Sequence, residues 1–211
     1  MHLRKTLVAG GALVGASLLA LSSTANAGPA SSINYVHVDG ATSGAQPISG
    51  AYEGGTANVA GLTFGCSGGN VSGTIDAGAT AGGVVTVDYS ALNLTCDGAL
   101  GIDPVITLNS TTCATGTFED SDATDGLSDV ISGTVTLARN CGQLRQATCT
   151  ANVDGTIGVT YDETTQDLIL DGSGFTLSNQ NAACLGFMSG GVTLNDITFD
   201  VDDVIDFRTN P

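Results

Sequence analysis

Apolar and polar residues alternate in short runs along most of the chain, and this two-residue period restricts the fold more than any other feature. Leu62, Phe64 and Cys66 alternate with Thr63 and Gly65, and Val85, Val87 and Tyr89 alternate with Thr86 and Asp88. Val153, Ile157, Val159 and Tyr161 share one face with Gly155 between them, and Ile197, Phe199 and Val201 alternate with Asp196, Thr198, Asp200 and Asp202. Successive strand side chains point to opposite faces, so each run reads as a half-buried strand with one wet face. Gly, Thr, Ser and Asp interrupt every stretch and no segment sustains a 3.6-residue period, so helices are not expected. The stretch from Val159 to Leu170 reads as two strands joined by a polar turn, a β-hairpin. Many short strands separated by Gly, Asn and Asp turns predict an all-β fold, an antiparallel β-sandwich or a barrel-like module. With no Trp, 6 Phe and 4 Tyr, its interior must be filled mainly by Val, Ile, Leu, Ala and half-cystines.

The first 27 residues stand apart. Arg4 and Lys5 precede an apolar, small-residue stretch from Leu7 to Leu21, and a short polar segment ends in Ala25-Asn26-Ala27. A charged start, an apolar middle and a small-x-small site make a secretory signal, with cleavage expected after Ala27. A membrane span needs about 20 apolar residues, and this stretch is shorter and Gly-rich. No cysteine for lipid attachment lies near the cleavage site and no apolar tail follows, so no stable membrane anchor is expected. Of 211 residues, removal of 27 leaves 184, one disulfide-bonded β domain spanning 28–211.

All six cysteines, Cys66, Cys96, Cys113, Cys141, Cys149 and Cys184, lie in the exported part. An even number in an oxidising compartment reads as a framework of three disulfides, and no Cys-x-x-Cys spacing suggests zinc or thiol redox chemistry. Six cysteines allow fifteen connectivities. An internal similarity offers one of them. Cys66-Ser-Gly-Gly-Asn70-Val-Ser-Gly-Thr-Ile75 is echoed by Cys149-Thr-Ala-Asn152-Val-Asp-Gly-Thr-Ile157, with a partial copy at Ile131-Ser-Gly-Thr-Val135. If these mark related units at about 60–100 and 145–190, each closes its own loop, Cys66 with Cys96 and Cys149 with Cys184, leaving Cys113 for Cys141.

The order of these motifs, Phe64-x-Cys66-Ser-Gly-Gly, a Gly-Thr-Ile strand, Leu-x-Leu-x-Cys96, Ser132-Gly-Thr-Val, Cys149 before a second Gly-Thr-Ile strand, and Cys184-x-Gly, resembles a group of small secreted, β-rich, six-cysteine proteins of high-GC Gram-positive (actinobacterial) bacteria without assigned activity. The similarity covers roughly residues 50–200. It implies export and a disulfide-stapled β fold, and it transfers no catalytic residue.

Charge narrows the partners. All 21 acidic residues follow Ala27, whereas only Arg139, Arg145 and Arg208 remain as cations, a formal charge of −18 for the exported part. Nucleic-acid affinity comes largely from Lys and Arg displacing counterions, so nucleic acid is excluded as a partner. Nucleophilic catalysis needs an imidazole, and the exported part offers only His37, which reads better as a partly exposed strand histidine. No Gly-x-Ser-x-Gly elbow occurs, and lysine chemistry is absent because Lys5 leaves with the signal. Glu53, Glu119 and Glu163 are available to a carboxylate-based hydrolase, although no Trp provides a sugar-stacking platform.

The cluster from Glu119 to Asp129 places Asp120, Asp122 and Asp125 where hard oxygen ligands suit calcium. It departs from an EF-hand loop, with Thr124 at the fifth position, Asp125 in place of the glycine and Ile131 in place of the closing glutamate. A solvated acidic turn between two strands is the favoured reading, and no other cofactor is indicated. The sequons at Asn70, Asn93 and Asn109 matter only in a eukaryotic secretory pathway.

The leading expectation is therefore a non-enzymatic protein, secreted or loosely associated with the cell envelope. An extracellular ligand- or surface-binding β module, with or without calcium, is the alternative, and a carboxylate hydrolase the third. Export makes a direct prediction: intact-mass analysis of the protein from culture fluid should place its N-terminus at Gly28. Soluble protein that retains Met1 would overturn it.

Overall fold

The computed structural model describes residues 33–98, 103–120, 129–184 and 190–209. Among these residues the strands are β1 (Tyr35–Val38), β2 (Gly44–Val59), β3 (Leu62–Ala79), β4 (Val84–Asp97), β5 (Val105–Leu108), β6 (Ala114–Glu119), β7 (Val130–Gln146), β8 (Cys149–Asp162), β9 (Asp167–Ser178), β10 (Gly191–Val201) and β11 (Ile205–Arg208). Among the described residues a 3-10 turn, Ala182–Cys184, interrupts the β structure.

The strands pair antiparallel in an up-and-down path, and β10 returns to pair with β2, from Val192↔Val59 to Val201↔Gly50. That last ladder closes the sheet into an eight-stranded barrel. One stave is broken: β5 lies against the far end of β4 (Leu94↔Ile106) and β6 against its beginning (Val84↔Glu119), and both pair with β7 on the other side. The two architectures compatible with the sequence are thereby resolved in favour of the barrel. β1 and β11 form an antiparallel pair outside the ring, joined to the end of β3 through Val36↔Gly78.

Short turns enforce the meander. At one rim, called upper here, β2 passes to β3 through Ala60-Gly61, both at positive φ (51° and 85°), as a two-residue hairpin matched to strand twist requires. The Asn58 side chain accepts the Gly61 N–H at 3.0 Å. The expected hairpin is β8 and β9, joined across residues 163–166 at the lower rim.

The alternation read from sequence becomes an inside and an outside. Val85, Val87, Tyr89, Val153, Ile157, Val159, Tyr161, Ile197, Phe199 and Val201 are all buried. Leu62 departs from the expected pattern: it is 52% exposed, because it begins β3 directly after the rim turn and lies beyond the packed lumen. Tyr89, Tyr161, Phe175 and Phe199 are the largest fully buried side chains. Eight strands enclose a space that side chains can just fill or that can hold one small ligand. Here inward side chains from all eight staves are buried in one cluster, and the apolar void near the lower mouth amounts to about 10 Å³, room for no more than one water. Outward positions carry Thr, Ser, Asn and Asp, many bonded across strands, as in Thr117–Thr134 at 3.0 Å and Thr136–Thr156 at 2.9 Å. A lipid-facing barrel shows the opposite polarity. No helix among the described residues is long and apolar enough to cross a membrane.

Closing so narrow a ring bends its strands sharply, and glycine occupies the bends. Gly155 has φ +134°, and a Cβ there would lie 2.1 Å from the Gly174 carbonyl oxygen, at the register shift between β8 and β9. Such bulged, glycine-bearing corners let a sheet coil into a barrel.

The three disulfides are Cys66–Cys96, Cys113–Cys141 and Cys149–Cys184, the connectivity that followed from the internal similarity. Cys66 and Cys96 are directly opposed on β3 and β4. Cys149–Cys184 ties the start of β8 to the 3-10 turn. Cys113–Cys141 fastens the broken stave: Cys113 lies between β5 and β6, while Cys141 sits where β7 spends Leu137 to Gly142 against only Gly155 to Val153 of β8. Backbone bonds flank this bridge, from Asn109 N–H to the Cys141 oxygen and from Ala138 N–H to the Cys113 oxygen at 2.9 Å. The bridges span 28 to 35 residues, and loops of that size stabilise by about 3 to 4 kcal/mol each in the chain-entropy model.

Two outcomes are expected. Alkylation of the denatured, unreduced protein should add no mass, and peptide mapping should recover these three pairs; two or more labelled cysteines would contradict the framework. Gly155→Ala should lower the unfolding free energy by about 1–3 kcal/mol from its backbone conformation alone, measured by urea denaturation. Gly65→Ala, at an exposed site with open space around its Cβ position, should change it far less.

Candidate functional site

Of the three glutamates open to a hydrolase, Glu53 and Glu119 do not converge. Glu53 is exposed on β2, Glu119 is exposed at the end of β6, and Glu163 sits half-buried in the β8–β9 turn. β2 and β6 are three strands apart around the ring, roughly 14 Å along the sheet. Acid–base pairs for glycoside hydrolysis work at about 5 to 10 Å. None of the three lines the lumen void.

Glu163 is nevertheless the most perturbed carboxylate. Its turn is built by Asp162, whose carbonyl accepts Gln166 N–H at 2.7 Å and whose Oδ1 accepts Thr164 N–H at 2.8 Å and Thr165 N–H at 3.3 Å. This Asx-type arrangement is what a short polar side chain at a turn start supplies. The Glu163 N–H donates to the Asp129 carbonyl at 2.7 Å, and its Oε1 accepts the Phe207 N–H of β11. Burial pushes the Glu163 carboxyl up to about 7, the Asp206 and Asp129 carboxylates add to the rise, and the Phe207 N–H and Arg208 oppose it. A raised carboxylate beside others is the pattern of an enzymatic acid. Its Oε1, however, is committed to backbone, and Glu163 borders neither the void at the lower mouth nor the two depressions of the outer wall described below.

Gln166 completes this group, and the sequence reading passed over it. At φ +64° its Oε1 accepts the Ile205 N–H at 3.0 Å and the Tyr161 hydroxyl, its Nε2 donates to the Glu163 carbonyl, and its own carbonyl accepts Val201 N–H at 3.0 Å. The available signal was Ile205-Asp206-Phe207, a short apolar alternation after the acidic cluster.

The C-terminal aspartates are structural. Asp203 Oδ2 accepts Ser49 N–H at 2.7 Å, Asp202 Oδ2 accepts the Ser49 hydroxyl at 3.1 Å, and Asp206 pairs with Arg208. Of the calcium candidates, Asp120 follows β6 directly, whereas Asp122 and Asp125 lie outside the described residues. Among the described residues no group of three or more His, Cys, Asp or Glu could hold a metal ion. His37 lies half-buried on β1 as the register partner of Asp206. Asn70 and Asn93, two of the sequon residues, bond to each other across β3 and β4 at 2.9 Å.

On the outer wall two shallow depressions of about 250 Å³ each meet at Ser132 and Gly133, where glycine leaves the surface low. Thr117, Thr134 and Thr160 line them, with Glu119 bordering one and Asp171 the other. Those carboxylates stand on β6 and β9, again three strands apart. Hydroxyls dominate the surroundings, and those of Thr117 and Thr134 bond to each other at 3.0 Å. No protein-family model matches the chain, and neither a curated protein nor a solved structure does.

Proposed function

We propose that the chain is an exported, non-enzymatic β-barrel protein of the bacterial cell exterior, secreted or loosely held at the envelope, that works through its outer surface. One observation carries the reading: the inward side chains of the closed barrel are buried against one another, and the void at its lower mouth measures about 10 Å³, far less than the small ligand that an eight-stranded barrel can otherwise hold. The three disulfides belong to an oxidising compartment. The carboxylates that could run hydrolysis are either dispersed over the outside or, at Glu163, engaged in holding a strand.

The reading is tested on protein recovered from an actinobacterial expression host. It should appear in culture fluid or in a salt wash of cells, and its native mass should equal that of the polypeptide with three disulfides. A co-purifying small molecule retained in the native spectrum would replace this reading with that of a carrier. Incubated with a panel of plant, fungal and bacterial polysaccharides, the protein should release no reducing ends. Release that disappears on Glu53→Gln, Glu119→Gln or Glu163→Gln would restore the hydrolase.

A further inference from the structure

β11 has two unlike edges. One is zipped to β1, from Tyr35↔Arg208 to Val38↔Ile205. Along the other, the N–H groups of Ile205 and Phe207 point to the β8–β9 turn and are received by side-chain oxygens, Gln166 Oε1 and Glu163 Oε1. Two side chains thus imitate the carbonyl edge of a neighbouring strand. The same two residues of β11 close the lower mouth: Ile205 and Phe207 are 4% and 3% exposed, and the Phe207 ring meets Tyr161 edge-on at 5.8 Å and Phe118 at 6.1 Å. Of the two acceptors Gln166 is permanently neutral, and Glu163 can gain or lose a proton.

We propose that the β8–β9 turn is a proton-controlled latch on the C-terminal strand: protonated Glu163 and Gln166 together hold β11 in the lower mouth of the barrel, and ionisation of Glu163 loosens it. Either form of the carboxyl can accept the Phe207 N–H, and that bond favours the anion. The loosening on ionisation therefore comes from the cost of burying a charge beside other carboxylates, which outweighs that bond. The anion must sit half-buried beside Asp206 on β11 and Asp129 ahead of β7, while Asp162 and Asp167, at either end of the turn, act with Glu163 on the neighbouring Tyr161 phenol. Arg208 is the cation nearest to it, and that side chain is already paired with Asp206. His37 on β1 faces Asp206 in register, and the Tyr161 phenol is held neutral by burial.

The direction of the response follows. The Glu163 carboxyl rises from its ordinary 4.5 to about 7 in the docked state, so the docked state binds more protons than the released one across that interval. Docking is fully supported below the lower value and loses that support as pH climbs through the upper one. Solvent screening of a half-buried group limits the effect, so protection should fall severalfold, and at most about tenfold, between about pH 6 and pH 8.

Amide hydrogen exchange on the oxidised protein reads this directly. Protection factors for Ile205 and Phe207 should drop severalfold over that interval, while those of Val159 and Leu170 in the barrel wall stay constant. Glu163→Gln, neutral and still an acceptor, should abolish the drop, and His37→Gln should leave it in place. A drop that persists in Glu163→Gln, that vanishes in His37→Gln, or that fails to occur in the parent protein overturns the latch. Should Glu163→Gln not fold, the side-chain carboxyl carbon shift of Glu163 in the parent protein decides: a midpoint near 7 supports the latch, and one in the ordinary carboxylate range removes it.

Discussion

The ladder between β2 and β10 is the contact on which the rest of the structure depends. It joins the first and last staves of the ring, residues 50–59 with 192–201, and without it both strands would present unpaired backbone edges to solvent. Closure also defines the core. Inward side chains of all eight staves meet in one lumen only because the ring is shut, and its small circumference calls for the glycine bends at Gly155 and Gly55, where a Cβ would lie 2.1 Å and 2.4 Å from a neighbouring carbonyl oxygen. A chain rich in Val, Ile and Leu and without Trp can fill such a space; a wider barrel would be left hollow.

Covalent support is unevenly distributed around this ring. Cys66–Cys96 and Cys149–Cys184 sit toward the upper rim, and Cys113–Cys141 repairs the stave that is broken between β5 and β6. No bridge reaches the lower mouth. There the described structure relies on β1 and β11, on the Asp162 turn and on the packing of Ile205 and Phe207. The upper half is locked in the folded and unfolded chain alike, which leaves the lower mouth as the end at which small changes in local free energy can alter conformation.

Much of this was legible in the sequence because it depends on local pattern. Alternation placed Val85, Val87, Tyr89, Val153, Ile157, Val159 and Tyr161 on buried faces, and the polar turn after Tyr161 marked the β8–β9 hairpin. The echo of Cys66 to Ile75 in Cys149 to Ile157 carried the disulfide pairing, since β3 and β8 each begin a hairpin with its own bridge on opposite sides of the ring. Closure itself was not legible: whether β10 meets β2 is decided by contacts about 140 residues apart, and a sandwich built from the same strands has the same periodicity. Leu62 failed for a related reason, because alternation states which face a side chain takes and leaves open whether a neighbour reaches that far along the barrel. Glu163 stood out only as one carboxylate of many; its partner Gln166 and the strand it holds come together through contacts 39 and 44 residues apart in sequence.

The character of that lower mouth follows from composition. With three arginines set against 21 acidic residues after Ala27, a carboxylate drawn into the structure has few cations to meet. Arg139 and Arg145 lie in the upper half of β7, and Arg208 is paired with Asp206 on an exposed edge. A buried anion lacking a partner is costly, and neutralisation is its least costly relief. Glu163 reaches that relief through a proton, which is available in any aqueous exterior and needs no second side chain. The scarcity of basic residues therefore makes the attachment of β11 sensitive to pH, through one carboxyl group that a chain richer in lysine would have neutralised permanently.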